Sequence, residues 1–120
     1  MPRKDIYHEM DRVEQDRQIV KRIIQEYADL LPSYSDVLAE PIFDDERGHY
    51  LLVYTGWNGK RRVHGSAIHV DLRDGKVWVQ HDGTKEGIVD ELVSAGIPPE
   101  RIVLGFHHPA QRPHTEFAVA

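Results

Sequence analysis

Three histidines, an arginine and a glutamate crowd the segment Phe106-His-His-Pro-Ala-Gln-Arg-Pro-His-Thr-Glu-Phe117. The imidazoles of His107, His108 and His114 and the carboxylate of Glu116 belong to the groups that ligate zinc and related ions. Their spacing argues against such a site. Adjacent residues of an extended chain face opposite sides, and the H-E-x-x-H pattern that sets two ligands on one helical face is absent. Ordinary hydrogen bonding and packing beside Pro109 and Pro113 is the better reading, and no metal or other cofactor is expected. A small metal-binding protein or hydrolase built on this histidine cluster is the alternative.

Other groups with chemistry are weaker. His69 and Asp71 fall two apart, so a strand there places them on one face, within reach of each other. His81-Asp82 is a second such pair. No nucleophile accompanies them, because Gly65-Ser66-Ala67 lacks the G-x-S-x-G elbow. Cross-strand polar pairs on a wet sheet face explain them without catalysis. Asp44, Asp45 and Glu46 read as turn formers rather than as a metal-dependent nuclease centre. Lys60-Arg61-Arg62 follows Asn58-Gly59 at a hairpin tip, with Trp57 beside it. That tip has three readings: a solvated turn, a phosphate contact with Trp57 stacking on a base, or a contact to an acidic partner. The solvated turn ranks first. No residue is assigned a catalytic role. Trp57, Lys60, Arg61, Arg62, His107, His108, Arg112 and His114 are the candidates for contacting a protein partner.

Composition narrows the classes. A chain of 120 residues carrying 40% hydrophobic and 29% charged residues suits one globular domain, spanning 1–120. The net charge of −5 disfavours autonomous DNA binding, which depends on a basic face for phosphate. The absence of cysteine removes disulfides and thiolate zinc sites. No run approaches a membrane span, and Met1-Pro-Arg-Lys-Asp5 lacks the apolar stretch of a signal peptide. A cytoplasmic location away from membranes is therefore expected.

The elements that must position these groups follow from periodicity. Ile6, Met10, Val13, Arg17, Val20, Ile24, Tyr27 and Leu31 step by four and three, widened by Ile23 and Leu30. This predicts a long helix over 5–31 that packs on a sheet, ended by Pro32. A strand is expected from Pro41 to Asp44, then a turn at Asp45-Glu-Arg-Gly48. From His49 to Trp57, Tyr50, Leu52 and Tyr54 alternate with Leu51, Val53, Thr55 and Trp57. Asn58-Gly59 reads as a type I′ hairpin turn. A return strand runs from Lys60 to Leu72, with a bulge at Gly65. Arg73-Asp-Gly-Lys76 makes a second tight turn before a strand at Val77–Gln80. Thr84 is a candidate N-cap for a short helix carrying Ile88, Leu92, Val93 and Ala95, which Gly96 ends. Pro98-Pro-Glu-Arg101 suits a helical turn, and Ile102–Leu104 is a brief apolar run. The apolar tetrad Phe117-Ala-Val-Ala120 is expected to be tied into the core or an interface. It can add a last strand to the sheet or pair with another copy of the chain, so a homo-oligomer is open. Pro109 and Pro113 should keep the preceding loop extended. The fold class is α+β: a long N-terminal helix on an antiparallel meander, a second short helix and a C-terminal tail.

Tyr50-Leu-Leu-Val53, Gly56-Trp-Asn-Gly-Lys-Arg-Arg-Val63, Ile68-His-Val-Asp71, Gln80-His-Asp-Gly-Thr84 and the tract from Arg101 onward occur in series. Together they resemble the XisI family, the fdxN-element excision controlling factors, from about Ile19 to the end. The resemblance implies a small cytoplasmic regulator of programmed DNA-element excision. It would act through an endonuclease-like companion protein, XisH, or through a site-specific recombinase, rather than on the DNA bond itself. It supplies no catalytic residues to carry over.

Overall fold

The computed structural model describes residues 2–31 and 35–120, with side chains from residue 12 onward. Helix α1 (Pro2–Asp29) is followed by strands β1 (Val37–Asp44), β2 (His49–Asn58), β3 (Arg61–Arg73) and β4 (Lys76–Asp82). Helix α2 (Val89–Ser94), a 3₁₀ turn at Pro99–Arg101, strand β5 (Ile102–Leu104) and a second 3₁₀ turn at Arg112–His114 complete the chain. The sheet order is β1-β2-β3-β4-β5, antiparallel throughout except that β5 runs parallel to β4. A parallel neighbour requires a crossover, and the segment carrying α2 supplies it. The expected antiparallel meander is thus extended by a parallel fifth strand, and the class is α+β.

One face of the sheet carries the core. Tyr50 and Leu52 of β2, Ile68 and Val70 of β3, Val77 and Val79 of β4, and Ile102 and Leu104 of β5 all point to it. Val20, Ile23 and Ile24 of α1 cover them, joined by Ile88, Leu92 and Ile97 around α2. Each such side chain contributes roughly 1.5–3 kcal/mol on full burial. Arg17, the cation in the helix stripe, packs productively: its Nε donates to Tyr50 Oη at 3.0 Å. Tyr50 Oη in turn donates to Asp45 Oδ1 at 3.0 Å, and Lys21 Nζ reaches Asp45 Oδ2 at 2.7 Å. Asp45 therefore ties helix to sheet as well as opening the turn. The stripe is narrower at its end than periodicity predicts, since Leu30 is exposed. Ile6 and Met10 fall where side chains are not described, and Pro32 lies outside the described residues.

Local geometry corrects several expectations. Asn58 pairs with Arg61, so the tight turn is Gly59-Lys60, one residue later than predicted. Gly59 has φ of +62° and Lys60 stays at negative φ, the glycine-first pattern of type II′ rather than I′. The bulge falls at Ala67, not Gly65: Leu52 pairs with Ile68 and Val53 with Ser66, which skips Ala67. Asp74-Gly75 does form the second turn, both at positive φ (55° and 75°) as type I′ requires. Thr84 is not the helix N-cap. Its Oγ1 accepts from Gly87 N at 3.0 Å, while Asp82 Oδ2 accepts from Ile88 N at 2.8 Å and holds the start of α2.

The tail also departs from an extended loop. Pro113 sits inside the 3₁₀ turn at Arg112–His114, where its fixed φ suits a turn as well as an extended chain. Ala118 N donates to Ile102 O at 2.8 Å, and a single parallel bridge joins Ala118 to Val103. Phe117 packs partly buried at the margin of the core, while Val119 is exposed. The expected last strand is present only as that one bridge on the β5 edge.

Candidate functional site

The helix-free face of the sheet brings together groups distant in sequence. Asp44, His49, Asp71, Trp78 and Val103 lie in one cross-strand row. Asp71 is 8% exposed, and its Oδ1 lies 2.7 Å from His49 Nδ1 and 2.8 Å from His69 Nε2. Gln80 Nε2 donates to the other oxygen, Oδ2, at 3.1 Å. Burial alone pushes the Asp71 carboxyl upward. The hydrogen bonds from His49, His69 and Gln80 outweigh it and hold the group below the usual carboxylate range. Asp71 is thus ionised at neutral pH. Among the described residues, His49, His69 and Asp71 are the one group of three metal-ligating side chains whose donor atoms converge.

His69 and Asp71 do share a face and touch, as their spacing predicts. His49 is the member that the periodicity did not single out. His81-Asp82 does not form a second pair of that kind: His81 is exposed, and Asp82 is occupied with Thr84 and the start of α2. Asp44, Asp45 and Glu46 form no nuclease-like centre. Asp44 accepts from Arg47 N at 2.9 Å and is held below the usual range chiefly by that bond. Asp45 faces Lys21, Tyr50 and Arg17 and is lowered chiefly by Lys21.

The hairpin tip stands apart. Trp57 is 50% exposed, with the Arg62 guanidinium 5.1 Å from its ring centre and Arg62 Nη1 bonded to Gly56 O. Lys60 and Arg61 are exposed beside it. Trp57 is eight residues along β2 from His49, about 25 Å at ~3.3 Å per residue. The tail joins the sheet on the far edge, at Val103. The structure therefore does not gather the tip and tail candidates into one surface.

Within the tail, Arg112 is a clamp. Its Nε, Nη1 and Nη2 donate to the carbonyls of His107, Val119 and Gly105 at 3.1, 3.3 and 3.4 Å. Its guanidinium lies 5.4 Å from the Trp78 ring centre, and Arg73 lies 4.2 Å from the same ring. These contacts are short enough for cation–π attraction. His107 Nδ1 pairs with Gln111 Oε1, and His108 Nδ1 accepts from Ala110 N. His108 and His114 are exposed, and Phe106 is 51% exposed next to them. The tail thus presents His107, His108, His114 and Phe106 at the surface on a framework that Arg112 holds.

The profile of the XisI protein family matches residues 10–119. The fold is similar to a crystal structure of a XisI-like protein from Anabaena variabilis ATCC 29413. The TM-score is 0.85 and the identity 38%, over 90% of this chain and 99% of that one. It is also similar to the fdxN element excision controlling factor XisI from the same organism. There the TM-score is 0.78 and the identity 42%, over 91% of this chain and 99% of that one. No curated protein matches the chain. A profile match that runs from within α1 to the tail, on the same fold, places this chain in the XisI family.

Proposed function

We propose that this protein is a controlling factor for programmed excision of a DNA element, acting without catalysis by binding a companion protein. The companion would be XisH-like or the site-specific recombinase itself. The observation that carries this reading is the family match over residues 10–119, with a 42% identical structure described as an fdxN element excision controlling factor. The chemistry of the chain supports it. The sequence holds no G-x-S-x-G nucleophile-elbow motif, and the acidic turn at Asp44-Asp45 is occupied by Arg47, Lys21 and Tyr50. Two aromatic side chains, Trp57 and Phe106, stand half exposed at the surface, and aromatic residues are enriched in protein–protein contacts.

The test is genetic and direct. In cells carrying the excisable element, deleting this gene should change excision frequency. A plasmid copy should restore it, and no other phase of DNA metabolism should need the protein. Unchanged excision in the deletion strain refutes the proposal.

A further inference from the structure

We infer that His49, His69 and Asp71 form a binding site for one divalent transition-metal ion of the zinc or ferrous class. Two observations carry this independently. The first is geometric. One donor atom from each of His49, His69 and Asp71 lies within 4.8 Å of the other two, and Asp71 Oδ1 stands 2.7 Å from His49 Nδ1 and 2.8 Å from His69 Nε2. Donors around a tetrahedral ion with bonds of ~2.0–2.1 Å stand about 3.3 Å apart, so the ion enters when the two contacts to Asp71 Oδ1 lengthen by about 0.5 Å and the widest donor separation closes by up to about 1.5 Å, movements within reach of imidazole and carboxylate rotation. Gln80 occupies Asp71 Oδ2 and leaves Oδ1 as the single donor oxygen. Ligating carboxylates are commonly held through their second oxygen in this way.

The second observation is charge. Buried charges are normally paired or coordinate a metal. Asp71 is buried, yet among the described residues no lysine or arginine bonds to it. Its partners are two histidines and an amide. Arg73, the nearest arginine in sequence, stacks on Trp78 instead. A divalent cation would neutralise the carboxylate and use both imidazoles as neutral ligands.

The donor set selects the ion. Two imidazoles and one carboxylate suit zinc or ferrous iron, whereas calcium and magnesium prefer all-oxygen shells. Three protein donors leave part of the shell to solvent. The His49 and His69 side chains are 46% and 33% exposed, so that open side faces outward. The hairpin also supplies rigidity: His49 pairs with Asp71 and Leu51 with His69 across β2 and β3.

Purified full-length chain, stripped with a chelator, would be titrated with Co²⁺ as a spectroscopic probe and with Zn²⁺ by calorimetry. The inference predicts one ion per chain, visible d–d absorption on Co²⁺ addition and a raised melting temperature. Affinity should fall at least tenfold in His49→Gln and in His69→Gln, and should survive in the His107→Ala/His108→Ala double variant. In wild-type protein, ring resonances of His49 and His69 should shift on stoichiometric Zn²⁺, a readout that does not depend on any variant folding. Absence of stoichiometric binding overturns the inference. So does binding that persists unchanged in His49→Gln, or that disappears with His107 and His108.

Discussion

Replacing Asp16 with alanine should strand the guanidinium of Arg101. The two residues lie 85 positions apart and join α1 to the turn before β5. Arg101 Nη1 donates to Asp16 Oδ2 at 2.5 Å and Nη2 to Oδ1 at 3.1 Å, a two-pronged geometry. The Asp16 and Arg101 side chains are only 6% and 17% exposed. An ion pair in water contributes ~0–1 kcal/mol, but removing one partner of a buried pair costs about 3–5 kcal/mol. The residual exposure of Arg101 favours the lower end, about 3 kcal/mol. That is a large share of the ~5–15 kcal/mol that holds a domain of this kind together. It corresponds to a fall in melting temperature of roughly 10–20 °C. Urea unfolding at neutral pH, followed by tryptophan fluorescence, measures the loss directly. Asp16→Leu with Arg101→Met removes both charges and should recover most of the stability, because the desolvation cost disappears with the pair. A double-mutant cycle then yields a coupling above about 1 kcal/mol. A cost below ~1 kcal/mol for Asp16→Ala, or additive losses in the double variant, would refute the burial argument.

Deleting residues 117–120 should cost about 1–3 kcal/mol, since it exposes the core margin under Phe117 and breaks the Ala118–Ile102 hydrogen bond. A differential melt against the full chain checks it, and an unchanged melting temperature contradicts it. Asp45 is held low by Lys21 and its neighbours, so its contribution is complete above the unfolded value of ~3.9 and is lost as pH falls through the lower folded value. Asp45→Asn should therefore flatten the acid limb of the stability profile below about pH 4; an identical limb would discount the contact. Duplex DNA should bind no more tightly than the nonspecific range of ~10⁻⁴–10⁻⁶ M at about 150 mM salt. Anisotropy titration reads this, and sub-micromolar binding lost in Lys60→Ala/Arg61→Ala/Arg62→Ala would reverse it.

The α1 stripe, the β2 alternation and the Arg73–Lys76 turn were legible because each depends on local periodicity or on residues that tolerate positive φ. The Asp71 cluster was only half legible, and the reason is register. A turn centred on Asn58-Gly59 pairs Trp57 with Lys60 and sets His49 opposite Ile68, on the core face. The actual Gly59-Lys60 turn moves the partner to Val70, still on the core face. The bulge at Ala67 adds one more residue and brings His49 opposite Asp71 on the other face. A single unpaired residue thus decides which side of the sheet His49 occupies. The Asp16–Arg101 pair and the Arg112 clamp carry no local signal, because each forms only after distant segments dock. The parallel β5 was hidden for a related reason. Three apolar residues do not specify a partner strand, and the direction is set by the crossover through α2.

Binding to a protein partner is measurable on the purified chain. Mixed with an XisH-like companion in about 150 mM salt, this protein should form a defined complex on a sizing column, with a Kd near or below ~1 µM by calorimetry. His107→Ala with His108→Ala should weaken it at least tenfold while leaving the melting temperature within a few degrees. A companion and recombinase that both fail to bind at ~100 µM, or an excision-related DNA cleavage performed by this chain alone, would contradict a non-catalytic, partner-binding role.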